Sequence, residues 1–167
     1  MTLPFIKQAQ EGRAVWHVGA LLNFKATGEE TDGQFWMAEQ ISPPGYTSPL
    51  HTHTREDEIF VVLDGEMSVR VGEEHHKAVR GAVVFAPRGL PHQFQVEDPD
   101  TRFLLMGTPA GFENWFFETG EPAQGLVLPP PPKGPPDVGK LLGALERYGA
   151  RMEGPPPGPG DDVPHTH

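Results

Sequence analysis

Residues 45–65 read GYTSPLHTHTREDEIFVVLDG, and this stretch decides the fold. Residues 59–63 (IFVVL) form a short run rich in β-branched residues, and Asp64-Gly65 is a tight-turn signal, so a strand ends in a hairpin there. Side chains alternate faces along a strand. His51 and His53, two apart, therefore point the same way. Glu58 comes five residues after His53, which breaks the parity of one straight strand, so a turn or bulge must intervene in residues 54–57. Glu58 then shares a face with Phe60 and Val62, which sends a carboxylate into the core. An unpaired charge is costly to bury, and a metal ion is the simplest partner that offsets it.

The flanking sequence repeats the strand pattern. Met67, Val69 and Val71 alternate with Ser68 and Arg70. Residues 81–86 are apolar, residues 102–106 read as a strand ending at Gly107, and residues 34–41 as an earlier one. His92, Phe94 and Val96 alternate with Gln93 and Gln95, so His92 also faces inward. Short strands at roughly 8–12-residue spacing with turns between them predict an all-β sandwich or barrel. The 20 Gly and 20 Pro agree with turns rather than long helices. His51, His53, Glu58 and His92 together point to one divalent metal ion, with Fe, Mn, Ni, Cu or Zn all chemically suited.

Composition excludes several functions. With 23 Asp and Glu against 13 Lys and Arg, the net charge is −10, which leaves little for a basic nucleic-acid footprint or an anionic membrane surface. There is no cysteine, hence no disulfide, thiolate ligand or cysteine nucleophile. No apolar run nears the ~20 residues that span a bilayer, and residues 1–10 lack a signal pattern. The expectation is a cytoplasmic protein acting on a small molecule.

The rest divides by composition. Residues 1–24 are expected to form an amino-terminal arm and 25–108 the barrel. In residues 109–128, Phe112, Trp115 and Phe116 stand at i, i+3 and i+4, so a helical turn is predicted, as a core plug or as the wall of an apolar pocket. Residues 129–136 (PPPPKGPP) read as a stiff link. Residues 137–152 place Val138, Leu141, Leu142, Leu145, Tyr148 and Met152 on one helical face behind an Asp137 cap. Residues 153–167 read as a disordered tail, where His165 and His167 could scavenge metal. Other polar candidates read as structural: His75-His76 as a solvated turn, His17 as a packed edge histidine, and Glu73-Glu74 and Arg55-Glu56-Asp57 as solvated loop charges.

The spacing G-x5-H-x-H-x4-E-x6-G over residues 45–65, followed by G-x5-P-x-G-x2-H from Gly81 to His92, resembles the two motifs of the cupin superfamily. The second motif usually ends in Asn four residues after its His, where this chain has Val96. The resemblance implies a double-stranded β-helix (a small jelly-roll barrel) with short carboxy-terminal helices. It also implies that His51, His53, Glu58 and His92 hold the metal. The order of segments after the barrel is similar to small cupins related to quercetin 2,3-dioxygenase. A dioxygenase acting on an enolic or phenolic, flavonol-like substrate is the leading expectation, with Glu58 as acid–base group. Tyr46, Phe60, Phe94, Phe112, Trp115 and Phe116 are the expected pocket. A non-redox isomerase or decarboxylase of a small oxo-acid or sugar, and a non-catalytic binding or sensor cupin, are the alternatives. A homodimer is expected through Phe5, Ile6, Val15, Trp16, Val18, Leu21 and Leu22.

Overall fold

The computed structural model describes residues 2–97 and 99–154. Its strands are β1 (Arg13–His17), β2 (Ala20–Ala26), β3 (Trp36–Ser42), β4 (His51–His53), β5 (Asp57–Asp64), β6 (Glu66–Val71), β7 (Glu74–Val79), β8 (Val83–Ala86), β9 (His92–Val96), β10 (Thr101–Thr108), β11 (Glu121–Pro122) and β12 (Ala150–Met152). Two helices, α1 (Glu113–Thr119) and α2 (Val138–Arg147), follow the barrel strands. The strands form two antiparallel sheets, ordered β11-β1-β2-β3-β10-β5-β8 and β12-β4-β9-β6-β7. This is the all-β architecture that the turn-punctuated strand pattern predicts, in the double-stranded β-helix form that the resemblance implies.

Period two is visible in burial. On β5 the inward set is Glu58, Phe60 and Val62, and on β9 it is His92, Phe94 and Val96. Phe60, Phe94 and Phe103 meet between the sheets at ring-centroid separations of 5.5–6.1 Å. These edge-on and tilted contacts form a floor beneath the inward histidines. The turn at Asp64-Gly65 requires glycine. Gly65 has φ +86°, and a Cβ there would stand 2.4 Å from Thr101 Oγ1. Val96, at the motif's Asn position, ties the loop to the barrel through its backbone: its N–H donates to Tyr46 O and its carbonyl accepts from Gly45 N.

Three segments lie differently from expectation. Residues 13–26 are two strands of the larger sheet rather than an arm outside it, because Val15, Leu21, Leu22 and Phe24 complete the chain's own core. Residues 74–79 are a strand paired along β6, so His75 and His76 lie on β7 and not in a turn. The carboxy-terminal helix ends at Arg147 instead of Met152. Gly149, at φ +78°, reverses the chain, and residues 150–152 become a strand against β4. Asp137 does cap α2, its Oδ1 accepting from Lys140 N at 3.0 Å. The expected tail, from residue 155 onward and including His165 and His167, lies outside the described residues.

Candidate metal centre and the pocket above it

β4 is only three residues long, and its position is set from both sides. β12 pairs Ala150 with His53 and Met152 with His51, while β9 pairs His92 with His51. Glu58 enters from the start of β5. One ligand atom from each of His51, His53, Glu58 and His92 lies within 4.8 Å of every other. His92 Nε2 is 2.8 Å and His53 Nε2 3.1 Å from Glu58 Oε2. Strand parity and the intervening turn therefore bring all four sequence-predicted ligands together.

Backbone contacts fix two of the imidazoles. His51 Nδ1 is 2.8 Å from Pro49 O, and His92 Nδ1 is 3.2 Å from Leu90 O. A carbonyl only accepts, so each Nδ1 carries hydrogen and each neutral ring presents an Nε2 lone pair to the cluster. His92 Nε2 stands 2.8 Å from Glu58 Oε2: a protonated ring donates to the carboxylate there, while a neutral ring with its hydrogen on Nδ1 leaves two lone pairs converging where a cation would be held. His53 is buried with neither ring nitrogen hydrogen-bonded, although Nδ1 stands 3.4 Å from Glu56 Oε1. The donor set and its orphaned nitrogen fit a divalent ion, whose bonds to imidazole nitrogen run about 2.0–2.1 Å.

The electrostatics are those of a buried, mutually charged group. Burial pushes His51 down to about 3, helped by the charges of His92 and His53. Burial alone would raise Glu58, but His53 and His92 outweigh it and hold the carboxyl well below its usual range. Burial opposes protonation of His92, yet Glu58 carries its pKa upward.

A cavity of about 260 Å³ opens onto His51 and Glu58. Phe60, Phe94 and Leu105 line it from the barrel, Phe112, Trp115 and Phe116 from around α1, and Leu141, Leu142 and Leu145 from α2. No Lys or Arg is among its lining residues.

The sequence profile of the cupin domain matches residues 38–106. Residues 38–106 of the barrel are a cupin domain. The chain is 24% identical over 131 residues to quercetin 2,3-dioxygenase of Bacillus subtilis, covering 78% of this chain and 39% of that protein. It is 27% identical over 122 residues to quercetin 2,3-dioxygenase of Aspergillus japonicus, covering 69% and 35%. It thus spans well under half the length of either. Among solved structures, a predicted oxalate decarboxylase of Thermotoga maritima superposes with a TM-score of 0.54 at 21% identity, over 60% of this chain and 94% of that one, a likeness of fold.

Around the candidate metal-ligand set, the structure places several residues differently from the sequence-based expectation. Glu56 is not a solvated loop charge: it is 4% exposed, and its Oε2 accepts from Trp36 Nε1 at 3.0 Å. Burial and the neighbouring Glu58 push its pKa up to about 9, against the Trp36 hydrogen bond. Asp57 instead holds Arg88, accepting from its Nε at 3.1 Å and Nη2 at 3.2 Å. His17 is packed, as expected, but its ring forms part of the cavity wall. Tyr46, Phe60, Phe94, Phe112, Trp115 and Phe116 all line the cavity. Gln40, 2% exposed, also reaches it; its inward parity with Trp36 and Ala38 on β3 was the signal that could have found it.

Proposed function

We propose that this cupin is a metal-dependent dioxygenase whose substrate is a small, neutral enol or phenol of flavonol-like shape. The observation that carries the reading is the apolar cavity, free of Lys and Arg, that opens onto the three-histidine, one-glutamate cluster. A flat aromatic molecule suits walls of Phe60, Phe94, Phe112 and Trp115. An oxo-acid or sugar acid would bring a carboxylate into a site with no counter-charge, which is costly. The similarity to quercetin 2,3-dioxygenases supports the same substrate class.

His51, His53, Glu58 and His92 would hold the ion. When bound, it supplies Lewis acidity that lowers the pKa of a coordinated enol or phenol oxygen. Glu58, the inward carboxylate of the cluster, receives the proton that the substrate hydroxyl gives up. Phe112, Trp115 and Phe116 exclude water around the electron-rich carbon that meets dioxygen.

The test is elemental analysis followed by oxygen uptake across a panel of flavonols and enediols. His51→Ala and His92→Ala each remove a ligand and should abolish or severely reduce bound metal. Glu58→Gln keeps the shape but loses basicity. Its metal content should fall only in part, while turnover falls by on the order of 10²–10⁴. Unchanged turnover in Glu58→Gln removes the base role. Absence of oxygen uptake by the wild type with Fe, Mn, Ni or Cu overturns the dioxygenase reading.

A further inference from the structure

We propose that His17 is the distal specificity residue of the pocket, accepting a hydrogen bond at Nδ1 from a hydroxyl at the end of the substrate remote from the metal cluster. This rests on the enol or phenol reading above and adds a second functional group to that substrate.

His17 is the last residue of β1, pairing with Ala20 across the Val18-Gly19 turn. Its ring is 3% exposed and packs on Trp115 at 4.5 Å and Phe116 at 5.1 Å between centroids. Nε2 stands 2.8 Å from Thr119 Oγ1. That hydroxyl already donates its own hydrogen to Trp115 O at 2.7 Å, so it can only accept from His17. Nε2 therefore carries the ring hydrogen, and Nδ1 is left as a lone-pair acceptor. No hydrogen bond reaches Nδ1 among the described residues. Burial also keeps the ring neutral, pushing its pKa down to about 4.

Nδ1 is not sealed from solvent, so a water or a ligand hydroxyl can reach it and donate. His17 lines two cavities, one shared with Thr119, to which Nε2 is committed, and one that reaches His51 and Glu58. Ring contacts bridge the two ends: Trp115 to Phe112 at 5.3 Å, and Phe112 to His53 at 4.4 Å. An aromatic body lying along Phe112 and Trp115 would bring one oxygen to the cluster and a second group to His17. A neutral Nδ1 that only accepts welcomes a hydroxyl and rejects a carboxylate or a methyl ether, neither of which can donate. The ligand class is therefore a polyphenol with hydroxyls at opposite ends. The backbone bears a cost to hold His17 there: Val18, β-branched, sits at φ +47° in a turn where Asn or Gly is usual.

The experiment uses zinc-loaded full-length protein and reads binding by quenching of tryptophan fluorescence. The probes are 3-hydroxyflavone, its 4′- and 7-hydroxylated derivatives, and their 4′- and 7-methyl ethers. At least one hydroxylated derivative should bind roughly tenfold more tightly than both its methyl ether and the parent, the worth of one buried neutral hydrogen bond. His17→Phe keeps a ring against Trp115 and Phe116 but removes the acceptor. It should bring that gain, taken as the ratio to the parent measured on the same variant, to within twofold. Thr119→Val, which releases the tautomer, should lower the gain in the same direction. A gain that survives His17→Phe, or hydroxylated derivatives no tighter than the parent, overturns the proposal and leaves the enol or phenol reading standing. A parent flavonol that binds none of the proteins overturns that reading, and the distal contact with it.

Discussion

At the scale of single residues, the charge on Glu56 decides which nitrogen His53 can offer. Its Oε2 is committed to Trp36 Nε1, so Oε1 is the atom beside His53 Nδ1. With Glu56 ionised, a hydrogen on His53 Nδ1 can be shared to Oε1, 3.4 Å away, and His53 presents its Nε2 lone pair to the cluster, as Pro49 O and Leu90 O make His51 and His92 do; with the carboxyl protonated, as burial favours by raising its pKa to about 9, Oε1 would donate to Nδ1 instead. Ionised Glu56 would thus let the three imidazoles face the cluster in one tautomer, each held through a different acceptor. Glu56→Gln tests this almost without changing shape. The Gln carbonyl must accept from Trp36, which turns its NH₂ toward His53 Nδ1 and favours the tautomer with hydrogen on Nε2. Metal affinity, measured by competition with a chelator, should fall about 10–100-fold. Affinity within twofold of wild type would mean that Glu56 does not orient His53. Space for the pair comes from Gly107: a Cβ there would lie 2.2 Å from Trp36 Nε1 and 2.7 Å from Glu56 Oε2.

At the scale of elements, β4 depends on a segment nearly a hundred residues away. β12 pairs along its whole length, and α2 delivers β12 to it. α2 is docked by Leu145 in the core, by Trp115 Nε1 donating to Leu141 O at 3.0 Å, and by Tyr148 Oη donating to Glu118 Oε2 at 2.7 Å. Leu145→Ala should cost about 2–5 kcal/mol. In a chain of this size that lowers the melting temperature by roughly 5–15 °C. Hydrogen exchange should accelerate at residues 150–152 before it does in β5 or β10. An unchanged melting temperature would mean that α2 contributes little to holding the site. The ligands were legible in the sequence because His51, His53, Glu58 and His92 stand at positions that strand parity alone sends inward. The partner of β4 was not, because Tyr148 and Met152 continue the helical spacing of α2 and only Gly149 signals the break. The sequence does not mark β1 and β2 as barrel strands, because residues 20–24 (ALLNF) are buried on every side and show no alternation. Glu56 sits in a charged tripeptide whose neighbours Arg55 and Asp57 do reach the surface side, so nothing in the local pattern distinguishes it.

At the scale of the whole molecule, the expected dimer face has to move. Val15, Leu21 and Leu22 belong to the chain's own core, which leaves Phe5, Ile6 and Val18 as the exposed part of that set. The outer face of the larger sheet offers a more continuous surface. Val83 and Phe85 on the edge strand β8 are 66% and 57% exposed. They pair with Val61 and Ile59 of β5, which in turn face Leu104 and Met106 of β10. Alternate outward positions on three adjacent strands are thus apolar, where a solvated sheet face would carry polar residues. A patch of that kind on a monomer marks an interaction site, and a twofold axis lets one patch cover its own copy. The prediction is a homodimer through the β8–β5–β10 face. Light scattering at tens of micromolar should give twice the chain mass. Val83→Glu with Phe85→Glu should give the monomer mass with unchanged circular dichroism and metal content, because neither side chain points toward the barrel interior. A monomeric wild type refutes the dimer outright, and a dimer that survives both charges places the interface elsewhere, with Phe5 and Ile6 the next residues to change.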